Sequence, residues 1–333
     1  MIQNLLEERA SSNIGVRFSG FQFAVIQSGN LVASGHGGQL SADPASEKVT
    51  AESVFDLASV TKLYTATLAS LLHDSGEIDL DSPLCDWVEV SPALSQITSR
   101  ELLTHVSGLP PWWEEQSTRA KTLSELFSLE PSSGQRGEIV YSCTGYSMYA
   151  MSLERKYGTT FDKLLRARLL DPLGLSSTIF NPPSDEFTVV VAREPDEDVP
   201  LGLVHDPRAR ALEGISGNAG LFANAMQVAA FLDQLASSDV SIVTEGVREQ
   251  LFTPTAQSEW EQAIGFRHRD RERLGAASDF FSHSGFTGTL AMVHPEKKVS
   301  GVLLTNRLQH RTSREELAEV YREFAEGVGE FFG

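Results

Sequence analysis

Cysteine is almost absent: Cys85 and Cys143 are the only two among 333 residues. Two thiols build no disulfide framework and match no metal-ligand spacing, and the pair fits a reducing compartment. Positive charge is scarce too, with 27 Lys plus Arg against 45 Asp plus Glu and a formal net charge of -18. Such a surface repels nucleic-acid phosphates and anionic membranes, which argues against both as partners. No apolar run is long enough to cross a bilayer. The first ten residues, Met1 to Ala10, lack the basic start and apolar stretch of a secretory signal and read as a short amphipathic helix with Glu7, Glu8 and Arg9. As written, the chain reads as soluble and cytoplasmic; removal of a signal would leave the same text. Internal repeats and low-complexity tracts are missing, and the acidic run Glu194 to Asp198 reads as a solvated loop.

What is present is enough for a large core, at 41% hydrophobic residues. Gly20 to Gln27 and Leu31 to Gly37 flank Ser28-Gly29-Asn30 as a β-hairpin. Thr287 to His294 and Val299 to Thr305 flank Pro295 to Lys298 as a second one. Ser313 to Phe332 spaces Leu317, Val320, Tyr321, Phe324 and Val328 as a helix does. Both ends therefore feed one antiparallel sheet. From Ser59 to about Phe222 the signals are mostly helical, broken by Pro and Gly loops, and read as an insertion. Asn224 with Gln227 marks a capped helix through Leu235 that returns the chain to the sheet. The expected fold is α/β (α+β): residues 1–58 and 222–333 form a sheet-and-helix domain, and 59–221 a mostly helical one.

The chemistry centres on Ser59-Val60-Thr61-Lys62. Residues three apart share a helix face, so Lys62 can reach the Ser59 oxygen. The helix that follows is apolar nearly all round and stops at Gly76, so the lysine is drawn into the interior. A serine is a weak nucleophile until its proton is taken, and a lysine takes a proton only when desolvation or a nearby cation lowers its pKa. Read alone, the same string also fits a serine N-cap followed by a solvated lysine.

Two later segments extend the pattern: Tyr141-Ser142-Cys143 before a helix, and His283-Ser284-Gly285 opening a strand-like run from Phe286. Further stretches accompany them: Phe55 to Ala58 leading into the serine, Leu102 to Leu109, Asp171 to Leu175, Val204-His205-Asp206 and Gly217 to Phe222. In this order the stretches resemble the serine β-lactamase and penicillin-binding-protein family, most of all its class C branch of esterases, D-amino-acid peptidases and amidases. The likeness runs from about Phe55 to Asn306. It implies a β-lactamase/transpeptidase-like fold with the site in the cleft between the two domains.

The resemblance also implies roles. Ser59 is the nucleophile, and Lys62 with Tyr141 carries its proton to the leaving group, the pair sharing one proton. The Ser59 and Phe286 amides form the oxyanion hole, with Gly285 beside them. Cys143 stands where an asparagine often binds the acyl amide, and a thiol is a weak partner for it. His283 replaces a lysine, exchanging a fixed charge for a group largely neutral near pH 7, so a strict need for a carboxylated substrate is weakened. Trp112, with Trp113, reads either as an aromatic wall of the acyl pocket or as a self-folded surface loop. Away from the pattern, Tyr141 would be read as a core tyrosine and His283 as a structural imidazole. No cofactor and no metal is expected; His205 and Asp206 read as local hydrogen-bonding groups.

The function implied is a serine hydrolase acting through an acyl-enzyme on a small ester or amide. A β-lactamase or D-Ala-D-Ala carboxypeptidase, an acyltransferase, and a silent binding protein of the same fold are the alternatives. The natural substrate and the oligomeric state are not legible.

Overall fold

A computed structural model describes residues 2–114, 117–132, 135–237 and 242–332. The strands are β1 (Gly20–Gln27), β2 (Asn30–Gly38), β3 (Phe55–Asp56), β4 (Ile179–Phe180), β5 (Leu221–Ala223), β6 (Ala256–Gln257), β7 (Glu261–Gln262), β8 (Arg267–His268), β9 (Phe281–Gly285), β10 (Thr289–His294) and β11 (Val299–Thr305). Eight of them form one antiparallel sheet in the order β2-β1-β11-β10-β9-β8-β7-β6, so the two chain ends meet where β1 pairs β11. A small sheet, β3-β5-β4, lies in the middle of the chain.

Period-2 alternation gives the sheet two apolar faces. Phe21, Phe23 and Val25, with Leu290, Met292 and Leu303, pack against the terminal helices Ile2–Ser11 and Arg314–Phe332 through Leu6, Leu317, Tyr321 and Phe324. Ala24, Ile26, Ala291, Val293, Val302 and Leu304 face the other way, joining a larger core with helices Thr61–Asp74 and Ala225–Ala236. Each large side chain buried here stabilises the fold by about 1.5–3 kcal/mol.

Local signals were honoured in detail. Ser28 and Gly29 both take positive φ (50° and 78°), the pair that a two-residue hairpin turn matched to strand twist requires. Helix Thr61–Asp74 ends at Ser75 and Gly76 (φ 74°), and the Asn224 side chain accepts the Gln227 amide at the start of Ala225–Ala236. At the free edge of the sheet the Gln3 side chain lies along β2: Nε2 donates to Ser34 O at 2.8 Å and Oε1 accepts the Ser34 amide at 2.9 Å.

Three features depart from expectation. The strand-like run after His283 is two elements: His283-Ser284-Gly285 closes β9, and Phe286 to Gly288 form the turn into β10. The helix after Tyr141, which the sequence places over Tyr146 to Tyr157, begins three residues earlier at Cys143, with Ser142 as its N-cap, because the Ser142 hydroxyl accepts the Gly145 amide at 3.3 Å. Strands β6, β7 and β8 went unread, being two residues each and too short to show a period. Among the described residues no helix is long and apolar enough to cross a membrane.

Candidate active site

Ser59 sits on a 3-10 turn, Ala58–Val60, between β3 and helix Thr61–Asp74. Ala58 is held at φ 46°, a left-handed conformation that costs a residue with a Cβ about 1 kcal/mol or more. Its surroundings fix that conformation. Asp56 Oδ1 accepts the Ala58 amide at 2.8 Å, and Asp56 Oδ2 accepts the His205 amide at 2.7 Å. The Thr287 and Thr289 hydroxyls donate to the carbonyls of Asp56 and Leu57 at 2.7 and 3.0 Å. The β9–β10 turn and the nucleophile turn are thereby laced together. Gly285 is required for that approach, since a Cβ there would lie 2.1 Å from Thr289 Oγ1 and 2.6 Å from Leu57 O.

Lys62 has no exposed surface, and its ammonium has three acceptors: Ser59 Oγ at 2.9 Å, Asn218 O at 3.1 Å and Cys143 Sγ at 3.5 Å. A carbonyl can only accept, so one donor is committed to Asn218. Burial pushes the Lys62 pKa down, but the acidic groups of Cys143 and Tyr141, with Asp206 behind them, more than offset it and leave it raised. The direction runs against the lowering that burial alone leads one to expect, because Cys143, Tyr141 and Asp206 reach the amine from distant segments.

Tyr141 stands at the meeting point of four groups. Its ring centroid lies 5.1 Å from Lys62 Nζ, 5.2 Å from Arg267 Cζ, 4.8 Å from the His105 ring and 6.0 Å from the His283 ring. His105, in a left-handed conformation (φ 63°), braces the segment: its carbonyl accepts the Val140 amide at 2.9 Å and its Nδ1 the Ser142 amide at 3.1 Å. His283 Nδ1 faces Ser284 O at 2.9 Å, which assigns the proton to Nδ1, while Nε2 is buried with no partner among the described residues. Burial, with Lys62 and Arg267 nearby, holds both imidazoles well below the ordinary histidine pKa, so both are neutral.

Sequence reasoning missed Arg267, Asn218 and Asp56. Arg267 belongs to the unread β8, where it pairs in register with Ser282, next to His283. Asn218 is buried in a Gly-rich stretch; its Oδ1 accepts the Ser147 and Ser216 hydroxyls at 2.9 and 2.8 Å, and its Nδ2 donates to Asp206 Oδ2 at 3.1 Å. Asp56 and Asn218 lie in stretches quoted from the sequence, Phe55 to Ala58 and Gly217 to Phe222, but were not singled out there.

The mouth is aromatic. Trp112 is 54% and Phe286 42% exposed, whereas Trp113 is buried. Phe286 stacks on His205 (5.4 Å, 18°) under Arg307 Cζ at 4.4 Å, and Trp112 has Arg208 Cζ at 5.9 Å. The Cys143 amide donates to Pro111 O at 2.9 Å, which seats the tryptophan loop beside the Lys62 partners. Among the described residues, neither the Ser59 nor the Phe286 amide has a protein acceptor. The structure thus brings Ser59, Lys62, Tyr141, Cys143, His283 and Gly285 together, with Phe286 and Trp112 at the rim.

The sequence profile of the beta-lactamase family matches residues 3–326. The chain belongs to the beta-lactamase family. This beta-lactamase-family protein is accordingly a serine hydrolase by class. It is similar to an N-acetylmuramyl-L-alanine amidase of Bacillus subtilis (strain 168), 26% identical over 91% of this chain and 80% of the relative. A putative D-alanyl-D-alanine carboxypeptidase of Escherichia coli O157:H7 is 23% identical over 91% and 82%. Among solved structures it is similar in fold to EstCE1, a hydrolase with promiscuous acyltransferase activity, with a TM-score of 0.81 at 18% identity over 100% of this chain and 98% of the other.

Proposed function

We propose that this family member cleaves a small ester or amide through an acyl-enzyme on Ser59, with Tyr141 moving the proton and Lys62 acting as a fixed ammonium. The observation that carries the reading is the 2.9 Å contact from Lys62 Nζ to Ser59 Oγ, inside a pocket where Lys62 is kept charged and Tyr141 is its neighbour. A charged lysine cannot accept the serine proton. The acceptor is then the Tyr141 oxygen, which takes the proton as a phenolate paired with the ammonium and becomes the neutral phenol.

The steps follow from that assignment. Ser59 Oγ attacks the carbonyl carbon as its proton passes to Tyr141, and the oxyanion forms against the Ser59 and Phe286 amides. Collapse expels the alcohol or amine, which takes the proton from Tyr141. Water, deprotonated by the Tyr141 phenolate, attacks the acyl-enzyme, and Ser59 Oγ leaves as it takes that proton back from Tyr141; an acceptor alcohol in place of water would make the protein an acyltransferase. The names of its relatives, an amidase and a putative carboxypeptidase, and of the fold neighbour EstCE1 agree with acyl chemistry of this kind. Cys143 offers an amide substrate only a weak partner, and Trp112 and Phe286 offer an apolar acyl group two rings, which favours esters and small amides. A neutral His283 supplies no ion pair for a substrate carboxylate.

Ser59→Ala is the test. Turnover of short-acyl p-nitrophenyl esters should fall by roughly 10³-fold or more, and the fluorophosphonate adduct on Ser59 should vanish. Undiminished turnover in that variant would overturn the reading.

A further inference from the structure

With His283 neutral, Lys62 and Arg267 are the two cations the structure sets beside the Tyr141 ring, at 5.1 and 5.2 Å. Arg267 is 9% exposed and lies over Trp260, its Cζ 4.1 Å from that ring. Its one protein acceptor among the described residues is Asp270, at 3.4 Å, and that carboxylate makes its shorter bond, 2.8 Å, with Arg273. The guanidinium is therefore a buried charge that Asp270 only partly compensates. A buried cation of that kind needs negative charge nearby.

We infer that Arg267 is the second fixed cation of the site, a positioning residue that from strand β8 holds negative charge on the Tyr141 oxygen. Arg267 pairs with Ser282, the neighbour of His283, and the approaches to the Tyr141 ring, 5.2 Å for the guanidinium and 6.0 Å for the imidazole, bring both side chains to the same site. A lysine at 283 and an arginine at 267 would put two cations at one end of the site, and a neutral imidazole with its Nε2 lone pair inward removes that repulsion. The other groups facing Tyr141 are His105, His283, Lys62 and Tyr146; Cys143 and Asp206 lie beyond Lys62, and Asp270 and Arg273 beyond Arg267. Both imidazoles are neutral, so neither substitutes for the guanidinium.

This inference rests on Tyr141 as the proton carrier, and its experiment separates the two claims. The pH dependence of p-nitrophenyl butyrate hydrolysis, an ester without a carboxylate, is measured for the wild type, Arg267→Gln, Arg267→Lys and Arg267→Gln combined with His283→Lys. Loss of the charge should move the acid limb of kcat up by about one pH unit, a roughly tenfold loss below the limb, with KM little changed. Arg267→Lys should keep most of the rate, and His283→Lys should bring the limb of Arg267→Gln back. In parallel, the phenolate absorbance of Tyr141, taken as the difference from Tyr141→Phe, should appear at higher pH in Arg267→Gln than in the wild type. That titration needs no turnover and so decides the Arg267 claim even if Ser59→Ala shows the hydrolase reading to be wrong. An unmoved limb and an unmoved phenolate titration, with only KM for carboxylated esters raised, would assign Arg267 to the substrate and sink the inference. Should Arg267→Gln fail to fold, Arg267→Met removes the same charge while refilling the space over Trp260.

Discussion

The carboxyl of Asp56, 1% exposed beneath the nucleophile turn, is pushed up to about 6 by burial, and the amides of His205 and Ala58 and the charge of His205 only partly offset this, while Asp206 adds to it. Its folded pKa lies above its ordinary value, so the native state holds a proton that the unfolded chain has lost. Asp56 therefore contributes stability that is fully present below about pH 4 and is lost as pH rises through about 6, on the order of 3 kcal/mol by neutrality. Asp56→Asn should flatten this slope. Urea unfolding at pH 4 and at pH 7 should give a difference between variant and wild type that changes by that amount; an unchanged difference would show that Asp56 is not the group responsible. Cys143 makes a second residue-scale test. Replacing its thiol by asparagine restores an amide partner beside Lys62, so Cys143→Asn should raise the amide-to-ester rate ratio several-fold, measured on matched anilide and p-nitrophenyl substrates.

At the scale of elements, the site depends on how closely the end of β9 approaches the turn that carries Ser59. A methyl group on residue 285 would overlap Thr289 Oγ1, Leu57 O and, at 3.2 Å, Ala58 Cβ. Gly285→Ala should therefore displace the strand end, with a penalty of about 1–3 kcal/mol, and lower ester turnover at least about tenfold while the far-ultraviolet dichroism stays native. Native turnover in a folded Gly285→Ala protein would contradict the lacing described here. The elements also explain what could be read in advance. Ser59 and Lys62 stand at the start of a long apolar helix, β1, β10 and β11 alternate over six to eight residues or run continuously apolar, and such patterns survive in sequence. Arg267 did not, because a two-residue strand has no period and its partner Ser282 is named only by pairing. The direction of the Lys62 shift was not legible for a related reason. Desolvation is a local inference, but the opposing groups, Cys143, Tyr141 and Asp206, come from loops whose arrival depends on tertiary structure.

For the molecule as a whole, the main sheet is closed by the two chain ends, β1 beside β11, and its outer face is covered by the first and last helices. A formal charge of -18 over such a body implies mutual repulsion of surface carboxylates, so moderate salt should raise the melting temperature. A melting point that falls with added sodium chloride would show that the arginine–carboxylate pairs outweigh this repulsion. Gln3 adds a consequence of its own. Its amide occupies the Ser34 amide and carbonyl groups that would otherwise greet a stranger's backbone at the margin of β2. Gln3→Ala should let that margin recruit copies of the chain, visible as concentration-dependent growth in light scattering. One side chain near the beginning of the polypeptide thus blocks that margin at its middle residue.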